Sequence, residues 1–211
     1  MSPRSLSRIL GLLRSYRAPL VFNPWNERDA AGDADGNGPA ARRRRLHSHL
    51  DIRAARILIG EAAGYQGCHV SGIPFTSERL LLTASIARVA RPATRLSTRH
   101  LPWSEPSATT VWKALYALAI ERDTILWNAF PWHPHRPGKL HSNRTPTRVE
   151  RAHGRQVLEA LLSAQPDATL FAVGRHAQAA LGELGCSAIA LRHPSMGGAA
   201  EFCAGLRRAH C

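Results

Sequence analysis

Residues 55–78 read ARILIGEAAGYQGCHVSGIPFTSE, a short apolar run followed by a glycine-rich segment. The run ARILIG (55–60) has the length and composition of a buried β-strand. The four glycines of the segment 55–78, at positions 60, 64, 67 and 72, permit tight turns and a close approach of the backbone to a ligand. Glu61 stands directly after the strand, where a partly buried carboxylate can act as a base. The alternative for this segment is an ordinary connection between a strand and a helix.

Three further apolar runs indicate strands of the same kind. They read TILWNAF (124–130), TLFAVG (169–174) and SAIALRH (187–193). Segments with helical spacing of apolar residues lie between or after the runs, at 76–90, 107–119, 146–164, 175–184 and beyond 193. In the segment 76–90, Leu80, Leu81, Ala84 and Ala87 share one side. Short apolar strands separated by helices predict an α/β fold of three α/β/α layers around a central four-stranded parallel sheet. We expect one domain over residues 1–211.

The N-terminal region contains two basic segments. The first twenty residues are rich in Arg and Ser and lack acids, a composition that also describes a mitochondrial transit peptide. Because Ile9, Leu12 and Leu13 line one face, we expect a short helix that docks on the mature fold. Residues 27–45, ERDAAGDADGNGPAARRRR, predict a flexible basic loop whose terminal arginines face solvent or phosphate.

Charge and cysteine usage narrow the function further. The chain has 28 Lys and Arg against 15 Asp and Glu, a net charge of +13, which favours a nucleic-acid partner over a generally basic surface. No apolar run is long enough to span a bilayer, so no membrane partner is expected. The cysteines at 68, 186, 203 and 211 form no CxxC pair, so we expect free thiols in a reducing compartment, with a disulfide or a reactive thiol as the alternatives. The expected location is the bacterial cytoplasm, in association with the nucleoid.

The loop after the second run reads WNAFPWHPHRPGKLHSNRTPT (127–147). Ligands of parallel sheets bind at the carboxyl ends of the strands, so this loop and its counterparts after Gly60 and His193 are the candidate binding elements. Asn128 stands near a strand end, and its amide can donate and accept at once, as the edge of a pyrimidine requires.

Histidines in the same loop raise the question of a metal. His133, His135 and His141 suggest zinc, but no HxxxH pair on a helix and no nearby cysteine accompanies them. We therefore expect solvated loop histidines near phosphate, with no metal and no cofactor.

The loop after the last run reads RHPSMGGAAEF (192–202). His193 ends a strand, although a histidine there is by itself more often a satisfied core residue. The backbone amides of Ser195 and Gly197 precede a helix and can bind a phosphate. Met196 is an apolar tip that can wedge into a base stack.

Together the three loops resemble a known family. GEAAGYQG…SGIPFTSE, WNA…NRTPT and HPSMGG are similar, in order and spacing, to the motifs of the uracil-DNA glycosylase superfamily, over Val21 to Leu206. The branches with a first motif like GEAPG are the most similar. The resemblance implies a monomeric enzyme that flips uracil out of double- or single-stranded DNA and hydrolyses its N-glycosidic bond without a cofactor.

The resemblance also implies roles for individual residues. Glu61 orients water or steadies the cationic sugar, His193 hydrogen-bonds the base carbonyl, and Asn143 acts near the substrate. The residues implied at the base are Ala62, Phe75 and Asn128, with Phe75 stacking on it. The residues implied at the DNA backbone are Gly64, Arg144, Ser195, Met196 and Gly197.

The chain departs from the most similar branch at several positions. That branch carries an iron–sulfur cluster on four cysteines, whereas VFNPWNERD (21–29) and the loop after Asn128 contain none, so no cluster is expected. Ala62 stands where the best-known branch has a catalytic aspartate, and Ala63 replaces the usual proline. The base therefore stays open between uracil, thymine and hypoxanthine. A catalytically inactive DNA-binding member and a nucleotide-binding α/β enzyme are the remaining alternatives.

Overall fold

The computed structural model describes residues 1–83 and 86–210. Its strands are β1 (Val21–Phe22), β2 (Arg56–Ala62), β3 (Thr124–Phe130), β4 (His133–Pro134), β5 (Thr169–Val173) and β6 (Ile189–Leu191). The central sheet has the order β3-β2-β5-β6, and each neighbouring pair is parallel. The predicted four-stranded parallel sheet is confirmed.

Helices cover both faces of this sheet. They are α1 (Pro3–Ser15), α2 (Pro39–Leu50), α3 (Cys68–Ser71), α4 (Glu78–Leu82), α5 (Pro106–Ala117), α6 (Arg148–Ala164), α7 (Arg175–Glu183) and α8 (Ala199–Arg208). One core cluster joins the sheet to α1, α2, α6 and α7, and the other joins it to α4, α5 and α8. The molecule therefore has the expected three layers.

The alternation of side chains along β2 shows how the layers are held. Ile57 and Ile59 belong to the cluster on the α6 side, whereas Leu58 belongs to the cluster on the α5 side, and all three are fully buried. Successive side chains of a strand point to opposite faces, so a sheet covered on both faces needs a continuous apolar run. The run in β2 meets this need.

The N-terminal segment forms the predicted docking helix. Ser2 caps α1 by accepting the Ser5 N–H, and Leu6, Ile9 and Leu13 are buried against the core that includes α6. Within residues 1–83 and 86–210, no helix is long and apolar enough to cross a membrane.

The prediction of a flexible basic loop over 27–45 is wrong for its second half. Residues 39–45 form the start of α2, which begins at Pro39, a residue suited to the first turn of a helix. Arg42 is completely buried, ion-pairs with Asp33 and donates to the carbonyl of Glu27. Only Arg44 of the four arginines is classed as exposed. The run therefore serves partly as internal structure and not wholly as a solvated surface.

The helix predicted over 76–90 is much shorter, since α4 ends at Leu82. Arg88 has a left-handed backbone with φ of 69°, and its guanidinium donates to the carbonyls of Glu121 and Thr124, which holds the chain away from a helical path. Ala84, part of the predicted apolar side, lies outside the described residues. Ser77 precedes α4 but makes no capping bond.

The cysteines agree with the expectation of free thiols as far as they are described. Cys68, Cys186 and Cys203 are unpaired, and Cys68 is buried in the core. Cys211 lies outside the described residues.

Candidate active site

The carboxyl ends of β2, β3 and β6 open into one cleft of about 1000 Å³. The candidate residues lie on three loops that are far apart in sequence, and the fold brings those loops together here. The predicted residues that line the cleft are Glu61, Ala62, Gly64, Phe75, Asn128, Asn143, Arg144, His193, Ser195 and Met196. Gly197, the remaining candidate, lies next to this lining on the exposed turn before α8.

The aromatic ring of Phe75 lies against the backbone of β2. A Cβ placed on Gly60 would lie 2.5 Å from the Phe75 Cζ, so only glycine allows this approach. Phe75 itself has a left-handed backbone, φ 49°, and its carbonyl accepts the indole N–H of Trp112 at 3.0 Å. The ring is thus held as a fixed flat surface in the cleft.

The amide of Asn128 faces the same space from β3. The residue is buried and pairs in register with Gly60 of β2. In the amide orientation that satisfies its neighbours, its oxygen accepts the Ala63 N–H at 3.3 Å and its nitrogen donates to the Trp127 carbonyl at 3.2 Å. These bonds fix the amide plane and leave one N–H and one lone pair for a ligand.

His193 is held as a neutral imidazole. The Ser195 N–H donates to the His193 Nδ1 at 3.1 Å, and the Ser195 Oγ lies 2.7 Å from the same nitrogen. A nitrogen that accepts a backbone N–H carries no proton, so the hydrogen of the neutral ring is on Nε2. Burial, and secondarily the charge of Arg192, lower the pKa of His193, which favours the same state. The ring therefore offers one N–H donor beyond its bonds to Ser195.

Glu61 is the acidic group at the end of β2. Its Oε1 is buried and has no hydrogen-bond partner among the residues that the structure describes, and Nδ1 of His176 lies 3.8 Å away. About a third of its side chain, 34%, is exposed. The carboxylate is therefore free to bind a water molecule.

Asn143 ties the loop after β3 to the loop after β2. Its Oδ1 accepts the Tyr65 N–H at 3.1 Å, and a Cβ placed on Gly64 would lie 3.6 Å from its Nδ2. The side-chain nitrogen remains directed to the region of Gly64. Asn143 is classed as exposed, so it stands at the mouth of the cleft and not at its floor.

The guanidinium of Arg144, expected to contact the DNA backbone, is bound to other groups of the protein. Its Nη1 and Nη2 donate to the carboxylate of Glu150 at 2.8 and 2.6 Å, and its Nε donates to the His135 carbonyl at 3.0 Å. Glu150 also accepts the Thr147 N–H in the capping box that starts α6. A phosphate at Arg144 would have to share a guanidinium already bound in a bidentate pair.

The loop after β6 presents Met196 to solvent. The side chain is 91% exposed, and its backbone is left-handed with φ 51°. Ser195 uses its N–H and hydroxyl on His193, so it orients that ring and its amide is not free for phosphate. Gly197 is exposed beside Met196 on the same turn.

Glu105 is a site residue that sequence analysis missed. It lines the cleft at the N-terminus of α5. A Cβ placed on Gly67 would lie only 1.9 Å from its Oε2, so the carboxylate packs directly against that glycine. Burial raises the pKa of Glu105 to about 7. The sequence WSEPS around Glu105 resembles an ordinary helix start, so no local signal marked it.

The loop histidines also differ from expectation. His133 is fully buried, and its Nε2 lies 2.7 Å from the Ser142 carbonyl. His141 is partly exposed but bonds to Asp29, with 2.7 Å between Nε2 and Oδ2. The prediction of solvated histidines is therefore wrong for His133, because β4, which contains it, pairs with β1 and is covered.

Comparison with known proteins places this chain in a family. The profile described as the uracil DNA glycosylase superfamily matches residues 47–202, so the chain belongs to that superfamily. Membership places it among the DNA glycosylases, a class of enzymes that bind DNA and hydrolyse the bond between a base and its sugar.

Among solved structures, wild-type SMUG2 of Pedobacter heparinus has a similar fold, with a TM-score of 0.65 and 15% identity over 97% of this chain and 96% of that one. At this identity the likeness concerns the fold alone. No curated protein matches the chain.

Proposed function

We propose that the protein removes uracil from DNA by hydrolysis of the N-glycosidic bond and leaves an abasic site. The observation that carries the proposal is the meeting of Phe75, Asn128 and His193 on one cleft, with an aromatic face, an amide and a ring N–H. A uracil presents a flat ring, an adjacent imide and carbonyl, and an oxygen that gains charge as it leaves. Each of the three side chains meets one of these features.

Exposed side chains around the cleft bind the DNA and let the base enter. Basic side chains hold the phosphates, and Met196 enters the stack in place of the departing base. Arg136, which is exposed and lines the cleft, and Arg192 are the cations best placed for the phosphates. Extrusion of a base costs a few kcal/mol and costs least for a mispaired base, so uracil opposite guanine is the favoured substrate.

Recognition then takes place at the floor. The base stacks on Phe75 beside Ala62, whose methyl group leaves space for the pyrimidine. Asn128 donates to one carbonyl of the base and accepts its imide N–H with the N–H and lone pair that its backbone bonds leave free. A purine such as hypoxanthine presents a different edge and a larger outline.

Bond cleavage draws on His193 and Glu61. As the glycosidic bond lengthens, negative charge develops on the base, and the Nε2–H of His193 donates to the oxygen that receives it. The sugar becomes cationic, and the partly exposed carboxylate of Glu61 stabilises it and orients the attacking water, with Asn143 at the rim. The water supplies hydroxyl to the sugar carbon and a proton that neutralises the released base.

A panel of duplexes tests the proposal. Each carries one lesion, with uracil opposite guanine or adenine, thymine opposite guanine, or hypoxanthine opposite thymine, together with single-stranded uracil DNA. Alkaline cleavage of abasic sites reports excision, and His193→Ala is the matched control for contaminating activity. Release of uracil by the wild-type protein alone supports the proposal. Release of another base without uracil would assign a different lesion, and binding without release of any base would indicate an inactive member of the fold.

A further inference from the structure

A second cluster of polar side chains lies outside the proposed catalytic groups, where three loops meet. Asp29 precedes α2, His69 belongs to α3, and His141 lies in the loop after β4. The Asp29 Oδ2 lies 3.2 Å from the His69 Nε2 and 2.7 Å from the His141 Nε2. The side chains of Asp29 and His69 are 4% and 0% exposed, whereas that of His141 is 37% exposed and gives access from solvent.

The hydrogen bonds around His69 and His133 require one more proton than two neutral imidazole rings carry. The His133 Nε2 faces the Ser142 carbonyl at 2.7 Å and must carry a proton, because a carbonyl only accepts. A second proton lies between Nδ1 of His69 and Nδ1 of His133, which are 2.9 Å apart. The contact of the His69 Nε2 with the Asp29 Oδ2 needs a third proton or a metal ion between the two atoms. Two neutral imidazoles carry two protons between them, so either an extra proton or a metal ion completes the network.

The surroundings of Asp29 prepare one oxygen as a ligand. Its Oδ1 accepts the N–H groups of Ala31 and Gly32, at 3.2 and 3.0 Å. The carboxylate is thus held in one orientation with Oδ2 directed to both histidines. On the other side, the His69 Nδ1 bonds to His133, the kind of outer hydrogen bond that orients a metal-binding imidazole.

The spacing of the three atoms suits a small divalent ion. The Asp29 Oδ2, the His69 Nε2 and the His141 Nε2 all lie within 4.8 Å of one another. In a tetrahedral zinc site with bonds of about 2.0–2.1 Å, ligand atoms stand about 3.3 Å apart. The Asp29–His69 spacing of 3.2 Å already has this value. His141 would withdraw by about 0.6 Å, which its exposed loop allows.

We propose that Asp29, His69 and His141 bind a divalent transition-metal ion, zinc by its donor set of two imidazoles and one carboxylate, with water at the fourth position. The ion joins the segment before α2, the loop after β2 and the loop after β4. Because His141 is two residues from Asn143, the ion also fixes the rim of the cleft. Its position makes it a structural ion and leaves the proposed hydrolysis to the groups of the cleft.

The test measures metal binding without any use of glycosylase activity. The tag-free chain is stripped with a chelator and titrated with zinc chloride, while calorimetry gives the stoichiometry and affinity and a thermal melt gives the stability. We expect one ion per chain and a higher melting temperature with zinc. His141→Ala should lose about 100-fold or more in affinity, since even outer partners of a ligand contribute 10- to 100-fold. His47→Ala, which removes an exposed histidine of α2, should bind as the wild type does.

A second readout needs no variant. Cobalt(II) bound by two imidazoles and a carboxylate in tetrahedral geometry absorbs visible light, and zinc should displace it and bleach the colour. The proposal is overturned if the stripped wild-type protein shows neither visible cobalt absorption nor a zinc-dependent melting temperature, because the network then holds a proton. It is also overturned if His141→Ala folds and binds zinc as tightly as His47→Ala.

Discussion

Replacing Gly60 with alanine tests how the surface for the flipped base is built. The added Cβ would lie 2.5 and 2.8 Å from two ring carbons of Phe75 and 2.9 Å from a terminal atom of the Asn128 amide. Carbon atoms in contact stand about 3.5–4.0 Å apart, so the ring has to retreat by about 1 Å. A misplacement of about 1 Å in a reaction site costs about 100-fold in rate, or about 2.7 kcal/mol in the barrier. We expect Gly60→Ala to cleave about 100-fold more slowly while it binds DNA almost normally.

The assay is single-turnover excision from a duplex with one uracil opposite guanine, with DNA affinity and melting temperature measured beside it. Gly11→Ala makes the same change where nothing lies within 4 Å, and it should keep the wild-type rate. Phe75→Leu added to Gly60→Ala removes the clash, so the double variant should react no more slowly than Phe75→Leu alone. A wild-type rate for Gly60→Ala, or losses that multiply in the double variant, would refute the reasoning.

Four further predictions concern charge and protons. His193→Ala should lower the single-turnover rate by about 100- to 1000-fold with DNA affinity retained; weaker binding at a normal rate would instead make His193 a positioning residue. Glu61→Gln should lose most of its rate and keep affinity, because the role needs charge, and a near wild-type rate would pass the water-binding role to Asn143. Because the pKa of Glu105 is raised to about 7, its folded form is neutral below that pH and ionises above it. The wild-type rate should then fall as pH rises through 7, since a second negative charge opposes the departing anion. The stability of the wild type relative to Glu105→Gln should also fall from about pH 4.5 to 7; parallel pH profiles for the two proteins would contradict both statements. Finally, a plot of log affinity for DNA against log salt concentration should have a slope of about −4 to −5 if about five phosphates are neutralised. A slope near zero would show that the net charge of +13 does not contact the phosphates.

The sheet and the cleft could be predicted because the sequence patterns that indicate them involve residues close together along the chain. Each strand is an apolar run bounded by polar or glycine residues, and the run 124–130 matches β3 residue for residue. The carboxyl ends of parallel strands lie on the same side of a sheet, so Asn128 and His193 were expected to share one site. Asn128 lies in β3, and His193 lies two residues beyond the end of β6, which is shorter than the predicted strand 187–193. The orientation of His193 by Ser195 was not predicted, since it depends on the turn that follows β6.

The rest depends on contacts between residues far apart in sequence. Arg42 looked solvated because the run around it is basic, yet Asp33 offers a buried partner that the charge pattern does not reveal. His133 meets His69 across 64 positions, so no spacing rule within the loop applies to it. The pKa of Glu105 is raised by burial, and the close approach of Gly67 to its carboxylate depends on the folded loop after β2. In each case the environment of the side chain comes from tertiary contacts that no local sequence pattern contains.

The exposed turn over residues 136–139 suggests where this protein tolerates added length. The turn closes through a bridge between Arg136 and Lys139. Gly138 has a positive φ, and a Cβ built on it would meet no atom of the described residues within 4 Å, its chain neighbours aside. Its flanks are anchored independently, by the β1–β4 pair on one side and by Arg144 on Glu150 on the other. Residues inserted at Gly138 would therefore extend outward into solvent without shifting the groups on either flank. A fluorophore placed there would stand beside Arg136 at the rim of the cleft and would report the arrival of a DNA duplex from the outside.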